Sequence, residues 1–360
     1  MLKLIHIKEA LRMNKRRRNF TGFRKFSGNA NQICRKSVES CWNKDKKYFM
    51  ISSGHFSEFY TRDFAWCISS LLKLGYKKEV EMTLRYALKK FYEHGKITTT
   101  ISPDGKCFDF PTISPDSIAS ILYCLVFLDK RLINEYKEFL EEQIQHYYDE
   151  TIDKKTGLIK KDKVFSEMRD YAKRKSSLYN NVMAQHTYEI ANDLGLKCSF
   201  KNIKNKIKKE FWNNKERYFY EDLTKKSVVS GDTNVVPFYT GLFNDKKMIK
   251  SALNAIKINE LNKPFLLKYS KEHQADLIMI HVFSGGYEKD QLWGQLGLMY
   301  LSLVKKHDKK EFNRNYNLLK KAIEKHGTFL EVFDKDGNPL KTKTYMTDEA
   351  MLWASMFLTL

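Results

Sequence analysis

The chain has 360 residues, of which 14% are aromatic, and its formal net charge is +21. A chain of this length can bury a large core, and one closed helical architecture could use all of it. The charge favours polyanionic partners in general, but most of it comes from lysines scattered along predicted helical faces. Charge alone therefore does not identify a nucleic-acid groove, in which basic and aromatic residues cluster.

The cysteine and apolar patterns indicate a reducing compartment. The cysteines show neither a C-x-x-C pair nor a metal-ligand spacing, and neither do His186, His273 and His281. We interpret the cysteines as reduced core thiols; they are Cys34, Cys41, Cys67, Cys107, Cys124 and Cys198. No window approaches 18 consecutive apolar residues and no signal-peptide core is evident. We therefore expect a cytoplasmic protein without a transmembrane segment.

Residues 1–30 form a basic arm centred on the run from Lys15 to Arg18, with Glu9 as its one acid. Such an arm is typical of a segment that binds nucleic acid or a membrane surface, and equally of a disordered tail. We set it apart from a single folded domain at 31–360, because no internal stretch is rich enough in Pro and Ser to act as a linker.

Helical periodicity governs the rest of the chain. Phe64, Ile68, Leu71 and Leu72 share one helical face, and Gly75 ends that helix. A second helix follows at about 80–91. Similar patterns predict helices at about 33–44, 116–128, 131–149, 177–194, 200–212, 234–241, 245–256, 287–305, 309–325 and 345–360. No sequence repeat is obvious.

The connections alternate between short and long. Short ones, such as Gly75–Tyr76, join antiparallel neighbours, whereas long ones hold most Gly, Pro and isolated acids; they lie at about 94–115, 150–176, 213–233, 257–286 and 326–344. Six hairpins with long loops at one end would close into a double ring of helices. The sequence therefore predicts an all-α fold, an (α/α)6 six-hairpin toroid, with its functional mouth at the long loops.

The segment Tyr60 to Trp66 places Arg62 and Asp63 at the start of a helix between two aromatic residues. Asp63 could simply favour the positive end of the helix dipole. Alternatively, the guanidinium, the carboxylate and the aromatic faces of Tyr60 and Trp66 could hold a sugar ring with several hydroxyls.

Two further acids lie on loops ahead of helices. Glu167 lies in Phe165–Asp170, and Glu331 lies 164 residues later in Thr328–Asp334. Either could be a solvated loop acid, but the shared placement of the two favours general acid/base chemistry.

These segments resemble the glucoamylase-like six-hairpin glycosidases, which include glycogen-debranching and trehalase-type enzymes. Phe165–Arg169 is similar to that superfamily's Trp-Glu-x-Arg segment, and Leu330–Gly337 resembles its Glu-x-Tyr-Asp-x-x-x-Gly motif. The Arg-Asp pair and Phe211–Asn213 also match recurring segments. The matches keep the superfamily's order over about 45–360. Ser166 and Tyr60 stand where Trp is usual, so the aromatic wall of the sugar site is altered.

The resemblance implies an inverting, exo-acting hydrolase of α-linked glucosides that needs no metal or cofactor. Glu167 would be the general acid and Glu331 the general base. Arg62 and Asp63 would hold the terminal sugar, Arg169 would orient Glu167 or the next sugar, and Tyr60, Trp66 and Trp293 would add aromatic faces; the partner would be an oligosaccharide or polysaccharide.

Other functions stay open on the sequence. A non-catalytic relative could bind a glycan or a polyanion through the same mouth or the basic arm, and nucleic acid is the less favoured partner. The same fold could also serve a phosphorylase, a trehalase-type enzyme or a hydrolase of charged sugars.

Overall fold

The computed structural model describes residues 4–271, 288 and 290–360. His273 and His281 therefore lie outside the described residues, and so do residues 287 and 289 of the helix predicted at 287–305. Within the described residues, fourteen helices and ten two-residue strands follow one another, numbered here in chain order.

Six outer helices alternate along the chain with six inner helices. After α1 (Leu4–Arg18), the outer helices are α2 (Ala30–Ser40), α4 (Lys77–His94), α7 (Lys137–Thr151), α9 (Lys204–Phe211), α11 (Lys246–Ile258) and α13 (Lys309–His326). The inner helices are α3 (Thr61–Lys73), α5 (Asp116–Leu125), α8 (Leu178–Asp193), α10 (Val236–Tyr239), α12 (Gly294–His307) and α14 (Ala354–Leu358). A short helix, α6 (Lys130–Glu135), precedes α7.

The apolar patterns explain the two rings. On α11, residues such as Ile249, Leu253 and Ile256 are buried at helical spacing while the other face is polar, which suits an outer helix. The inner helix α5 is buried on almost every side. The inner helices pack in the order α3, α5, α8, α10 and α12, and α14 returns to α3. This double ring is the predicted all-α six-hairpin toroid.

Short strands join the long connections at one end of the toroid. The strands are β1 (Trp42–Asn43), β2 (Tyr48–Phe49), β3 (Phe59–Tyr60), β4 (Thr100–Ile101), β5 (Cys107–Phe108), β6 (Trp212–Asn213), β7 (Tyr218–Phe219), β8 (Leu267–Lys268), β9 (Leu292–Trp293) and β10 (Val332–Phe333). Two antiparallel sheets, β3–β4–β5 and β8–β9–β10, place strand ends directly before α3 and α12. The long loops therefore meet the first turns of inner helices.

Two hairpins repeat one local sequence. β1 and β2 pair with Trp42 opposite Phe49, and β6 and β7 pair with Trp212 opposite Phe219. In each hairpin an asparagine side chain accepts from two backbone N–H groups of the turn. The pattern Trp-Asn-x4-Tyr-Phe is thus an internal repeat, which corrects the expectation that the chain has none.

Three helix predictions need correction. The predicted helix at 131–149 is divided at Tyr136, between α6 and α7. The helix predicted at 345–360 is confined to Ala354–Leu358, because residues before it bond to other loops instead of to one another. Described helix α12 begins at Gly294 and not at 287.

The burial of most of the cysteines agrees with their interpretation as core thiols. All six cysteines are free thiols, and four of them are buried. Within the described parts of the chain, no helix combines the length and the apolar character needed to cross a membrane.

Candidate active site

The long loops and the first turns of the inner helices enclose a pocket of about 80 Å³. Its wall combines carboxyl groups with aromatic rings. Among the described residues, the carboxyl groups are those of Asp63, Asp116, Asp170, Glu288 and Glu331, and the rings are those of Phe56, Tyr60, Phe110, Tyr269, Trp293 and Trp353.

The pocket brings together five of the eight residues predicted to form the site, namely Tyr60, Arg62, Asp63, Trp293 and Glu331. Trp66, Glu167 and Arg169 are not on its wall. The sequence therefore indicated much of this pocket, while the surroundings of each acid depend on the rest of the structure.

Backbone bonds fix Glu331 from two sides. Its carbonyl oxygen accepts from Gly294 N–H at 2.8 Å, and its own N–H donates to the carbonyl oxygen of Asp348 at 3.0 Å. The next residue, Val332, pairs with Trp293 across the β9–β10 ladder. A Cβ on Gly294 would lie 3.0 Å from the Glu331 carbonyl oxygen, so this close approach favours glycine.

The Glu331 carboxyl group is also held in place. Its Oε2 atom accepts the backbone N–H of Asp348 at 3.0 Å and the hydroxyl of Tyr345. Burial raises the pKa of Glu331 to about 8, and the charges of Asp348 and Asp63 add to that rise. The hydrogen bonds from Tyr345 and Asp348 favour the ionised form and oppose the rise. Glu331 is thus oriented, and its pKa lies near neutrality.

Asp63 is held by donors from two inner segments. Its Oδ1 atom accepts from Gln295 Nε2 and from Trp353 Nε1, each at 3.1 Å. Within the described residues both bonds end on Oδ1, so Oδ2 can accept from a bound molecule. Burial raises the pKa of Asp63 to about 6 against the opposing charge of Arg62.

Arg62 joins two acids of the pocket. Its Nε donates to Asp116 at 2.6 Å, and its terminal nitrogens donate to Asp170 at 3.1 and 3.2 Å. Asp116 also accepts the Tyr179 hydroxyl at 2.7 Å. The donors of Arg62 therefore orient carboxylates, and its charge is balanced within the wall.

Asp170 combines this pairing with access to the pocket. Its Oδ1 atom accepts the Ser166 hydroxyl at 2.9 Å, and 26% of its side chain is exposed. The Glu288 carboxylate lies behind it and accepts the N–H groups of Asp170 and Tyr171 at 2.8 and 2.9 Å. Burial raises the pKa of Asp170 despite the opposing charge of Arg62.

The pair formed by Asp170 and Glu288 can keep a proton at neutral pH. Burial raises the pKa of Glu288 to about 8, and the negative charge of Asp170 contributes to the rise. Two neighbouring carboxyl groups that resist simultaneous ionisation retain one proton between them. Both carboxyl groups of the pair lie on the pocket wall.

Glu167 lies in a different, sealed cluster. Its side chain is 1% exposed, and its Oε1 accepts from Arg174 Nη1 at 2.9 Å. The same guanidinium donates to Asp232 at 2.5 Å and to Glu221 at 2.7 Å. Burial raises the pKa of Glu167 to about 7, and Arg174 opposes the rise. Glu167 thus shares a buried cation with two other acids.

Arg169 and Trp66 also contact protein groups instead of the pocket. Arg169 donates to the backbone carbonyl of Glu288 at 2.6 and 3.0 Å, and its guanidinium lies 5.8 Å from the centre of the Tyr269 ring. Trp66 packs edge-to-face on Tyr239 at 5.8 Å. In this structure both residues support neighbouring elements.

Sequence reasoning missed several residues of the wall. Asp170 lay within the acidic segment already singled out, three residues after Glu167, but nothing local distinguishes the two. Asp116 begins the helix predicted at about 116–128, where an acid is usual at the positive end of the helix dipole. Glu288 and Trp353 reach the pocket through long-range contacts, which carry no local sequence signal.

Comparison with known proteins found no matching family model and no matching curated protein. Solved structures do match. GH63 mannosylglycerate hydrolase from Thermus thermophilus, in complex with glucose, matches with a TM-score of 0.60 at 10% identity, over 91% of this chain and 100% of that chain.

Two further structures agree in fold. A glycosidase variant in complex with glucose gives a TM-score of 0.61 at 12% identity, over 99% of this chain and 97% of that chain. Neutral trehalase from Saccharomyces cerevisiae gives 0.55 at 12% identity, over 86% and 72%. These likenesses in fold confirm the predicted all-α six-hairpin toroid.

Proposed function

We propose that this protein is an inverting, exo-acting glycoside hydrolase of α-linked glucosides. The observation that carries the proposal is one pocket that holds an oriented carboxyl group, Glu331, together with a proton-retaining acid pair. The structural likeness to glycosidases supports the same class of reaction, and the two neighbours solved with glucose support a glucose-sized ring.

Glu331 is the general base of this proposal. In its ionised form it removes a proton from a water molecule as the water oxygen attacks the anomeric carbon. The Asp348 N–H and the Tyr345 hydroxyl fix the carboxylate before the reaction, so little reorganisation accompanies proton transfer.

Asp170 is the general acid. As the bond between the anomeric carbon and the glycosidic oxygen breaks, the Asp170 proton passes to that oxygen, and the leaving group departs as an alcohol. Its exposure to the pocket and the neighbouring Glu288 support this role. Glu167, the acid predicted by resemblance, is the alternative candidate, although its carboxylate is buried against Arg174. The variants Asp170→Asn and Glu167→Gln distinguish the two.

Asp63 is the sugar-holding residue. Its fixed carboxylate accepts hydroxyl hydrogen bonds, and the rings of Tyr60, Trp293 and Trp353 provide flat apolar surface for a pyranose. Among the described residues of the wall, five carboxyl groups accompany the single cation Arg62, which is already paired. This balance favours an uncharged sugar over a phosphorylated or acidic one.

The test is sugar release from maltose, maltotriose, isomaltose, trehalose and glycogen by wild type and by Glu331→Gln. We expect release of β-glucose, detected by its anomeric proton in NMR spectra recorded before mutarotation. Glu331→Gln should be slower by about 10²–10⁴-fold with unchanged circular dichroism. In the first cleavage of glycogen or maltotriose the leaving group is not glucose, so release of α-glucose from either of them would contradict inversion. No release by wild type from any uncharged glucoside would contradict the proposed function.

A further inference from the structure

The basic helix α1 lies against the loops that form the mouth of the pocket. Arg12 pairs with Glu58 and donates to the Ser57 hydroxyl at 3.2 Å. Arg17 donates to the carbonyl oxygen of Thr342 at 2.7 Å. One contacted loop continues into the strand that carries Tyr60, and the other carries Tyr345, so α1 bridges two segments that line or support the pocket.

Arg16 links the arm to residues next to the Glu331 carboxylate. Its Nη2 atom donates to Glu349 at 2.5 Å and lies 3.5 Å from the carboxylate of Asp348. The other oxygen of Glu349 accepts the backbone N–H of Arg24 at 2.6 Å. A single residue, Asp348, therefore separates the arm from the Glu331 carboxylate.

Asp348 connects the two loops. Its side chain accepts the backbone N–H groups of His55 and Phe56, each at 3.0 Å, and the hydroxyl of Ser52. Its own backbone brackets Glu331 from both sides. Because Asp348 is fully buried, a change in its position must be transmitted to Glu331 through these short bonds.

We propose that α1 is a strap on the active site and that Arg16 is a positioning residue for the general base, acting through Asp348 and Glu349. The inference rests on the proposed function, because it assigns a catalytic consequence to the arm. It also accounts for part of the basic run, since Arg16 and Arg17 bind protein groups while Lys15 and Arg18 are exposed.

The first experiment compares Arg16→Ala, Arg16→Lys and the exposed control Arg18→Ala in steady-state kinetics. Since Arg16 approaches the base and not the sugar-holding Asp63, we expect Arg16→Ala to lower kcat about tenfold while KM changes less than about twofold. Arg16→Lys should recover most of kcat because it restores the charge. Unchanged kcat in Arg16→Ala, an equal loss in Arg18→Ala, or no recovery by lysine would overturn the proposal.

A second measurement separates this inference from the proposed function. Hydrogen exchange is followed in peptides covering 4–18 and 328–333, in wild type and in both alanine variants. We expect Arg16→Ala to increase exchange in both peptides and Arg18→Ala to leave 328–333 unchanged. If the exchange pattern appears but wild type has no hydrolase activity, only the proposed function is contradicted. Unchanged exchange at 328–333 in Arg16→Ala would contradict the role of α1 as a strap.

Discussion

Glu167 and Asp170 lie three residues apart in the chain but belong to two acidic clusters with different surroundings. Asp170 is 26% exposed and lies on the pocket wall with Glu331. Glu167 is 1% exposed and binds Arg174, which also holds Asp232. The chemical groups are the same, but Asp170 lines the pocket and Glu167 does not.

The comparison shows how a fold assigns roles to identical carboxyl groups. In the sealed cluster, the buried Arg174 guanidinium lowers the pKa of Asp232 against burial, whereas burial raises the pKa of Glu167 to about 7 against the same guanidinium. In the pocket, burial dominates and raises the pKa values of Asp170, Glu288 and Glu331. The sealed cluster should stabilise the fold, whereas the pocket acids should govern reaction.

The largest expected effect separates the two neighbouring acids. Asp170→Asn removes a transferable proton and should lower kcat on the preferred glucoside by about 10²–10⁴-fold. Glu167→Gln keeps a hydrogen-bonding side chain beside Arg174 and should lower kcat by less than about tenfold, the size of effect expected of a residue that acts only through position. Steady-state kinetics on both variants, with circular dichroism as a check of folding, measures the contrast; the reverse order would return the acid role to Glu167.

Breaking the sealed cluster should affect stability more than catalysis. Arg174→Met leaves three acids without their buried cation and should lower the free energy of unfolding by about 3–5 kcal/mol. Since protonation removes the uncompensated charges, the loss should be smaller at pH 5 than at pH 7. Urea unfolding at the two pH values measures it.

The control for that variant is Arg131→Met. Arg131 pairs with Asp129 but is 88% exposed, so its replacement should change the free energy of unfolding by less than about 1 kcal/mol. Equal losses in Arg174→Met and Arg131→Met would contradict a stabilising role for the buried cluster.

A smaller effect should test the sugar-holding role of Asp63. Trp353→Phe keeps an aromatic ring but removes the N–H that donates to Asp63. We expect KM to rise about three- to tenfold, which corresponds to about 0.7–1.4 kcal/mol, the net free energy of one ordinary hydrogen bond. Substrate titration measures KM, and Trp42→Phe, remote from the pocket wall, is the control; an unchanged KM in Trp353→Phe would show that this bond does not position Asp63 for binding.

The smallest effect should appear in the pH profile. The Tyr345 hydroxyl lowers the pKa of Glu331, so Tyr345→Phe should raise that pKa above its value of about 8. A general base works only when ionised, and therefore the ascending limb of kcat/KM should move to higher pH by about one unit. Tyr188→Phe, outside the pocket wall, should leave the profile unchanged. A shift to lower pH in Tyr345→Phe would contradict Glu331 as the base.

The sequence allowed the ring of helices and the region of the site to be predicted. Apolar spacing such as Phe64, Ile68 and Leu71 locates inner helices, and the uneven loops locate the mouth. The repeated hairpin also has a local signature, the pairs Trp-Asn and Tyr-Phe at equal spacing. Local sequence patterns were therefore sufficient to predict the helical architecture.

The division of labour among the acids could not be predicted in the same way. Whether Glu167 or Asp170 faces the pocket depends on Arg174 and Asp232, whose contact spans 58 residues of the chain. The link from Arg16 to Glu349 spans 333 residues. Such pairings are set by packing of the closed ring and leave no periodic signal.

The most direct test of the two-cluster account is the dependence of Asp170→Asn on the leaving group. A glucoside whose leaving group needs no protonation, such as 2,4-dinitrophenyl α-glucoside, bypasses the general acid. We predict that Asp170→Asn loses at least about 100-fold in kcat on maltose but keeps most of wild-type kcat on the dinitrophenyl substrate, while Glu167→Gln shows no such difference. Equal losses of Asp170→Asn on both substrates, or leaving-group dependence in Glu167→Gln, would contradict the assignment of the acid to the pocket wall.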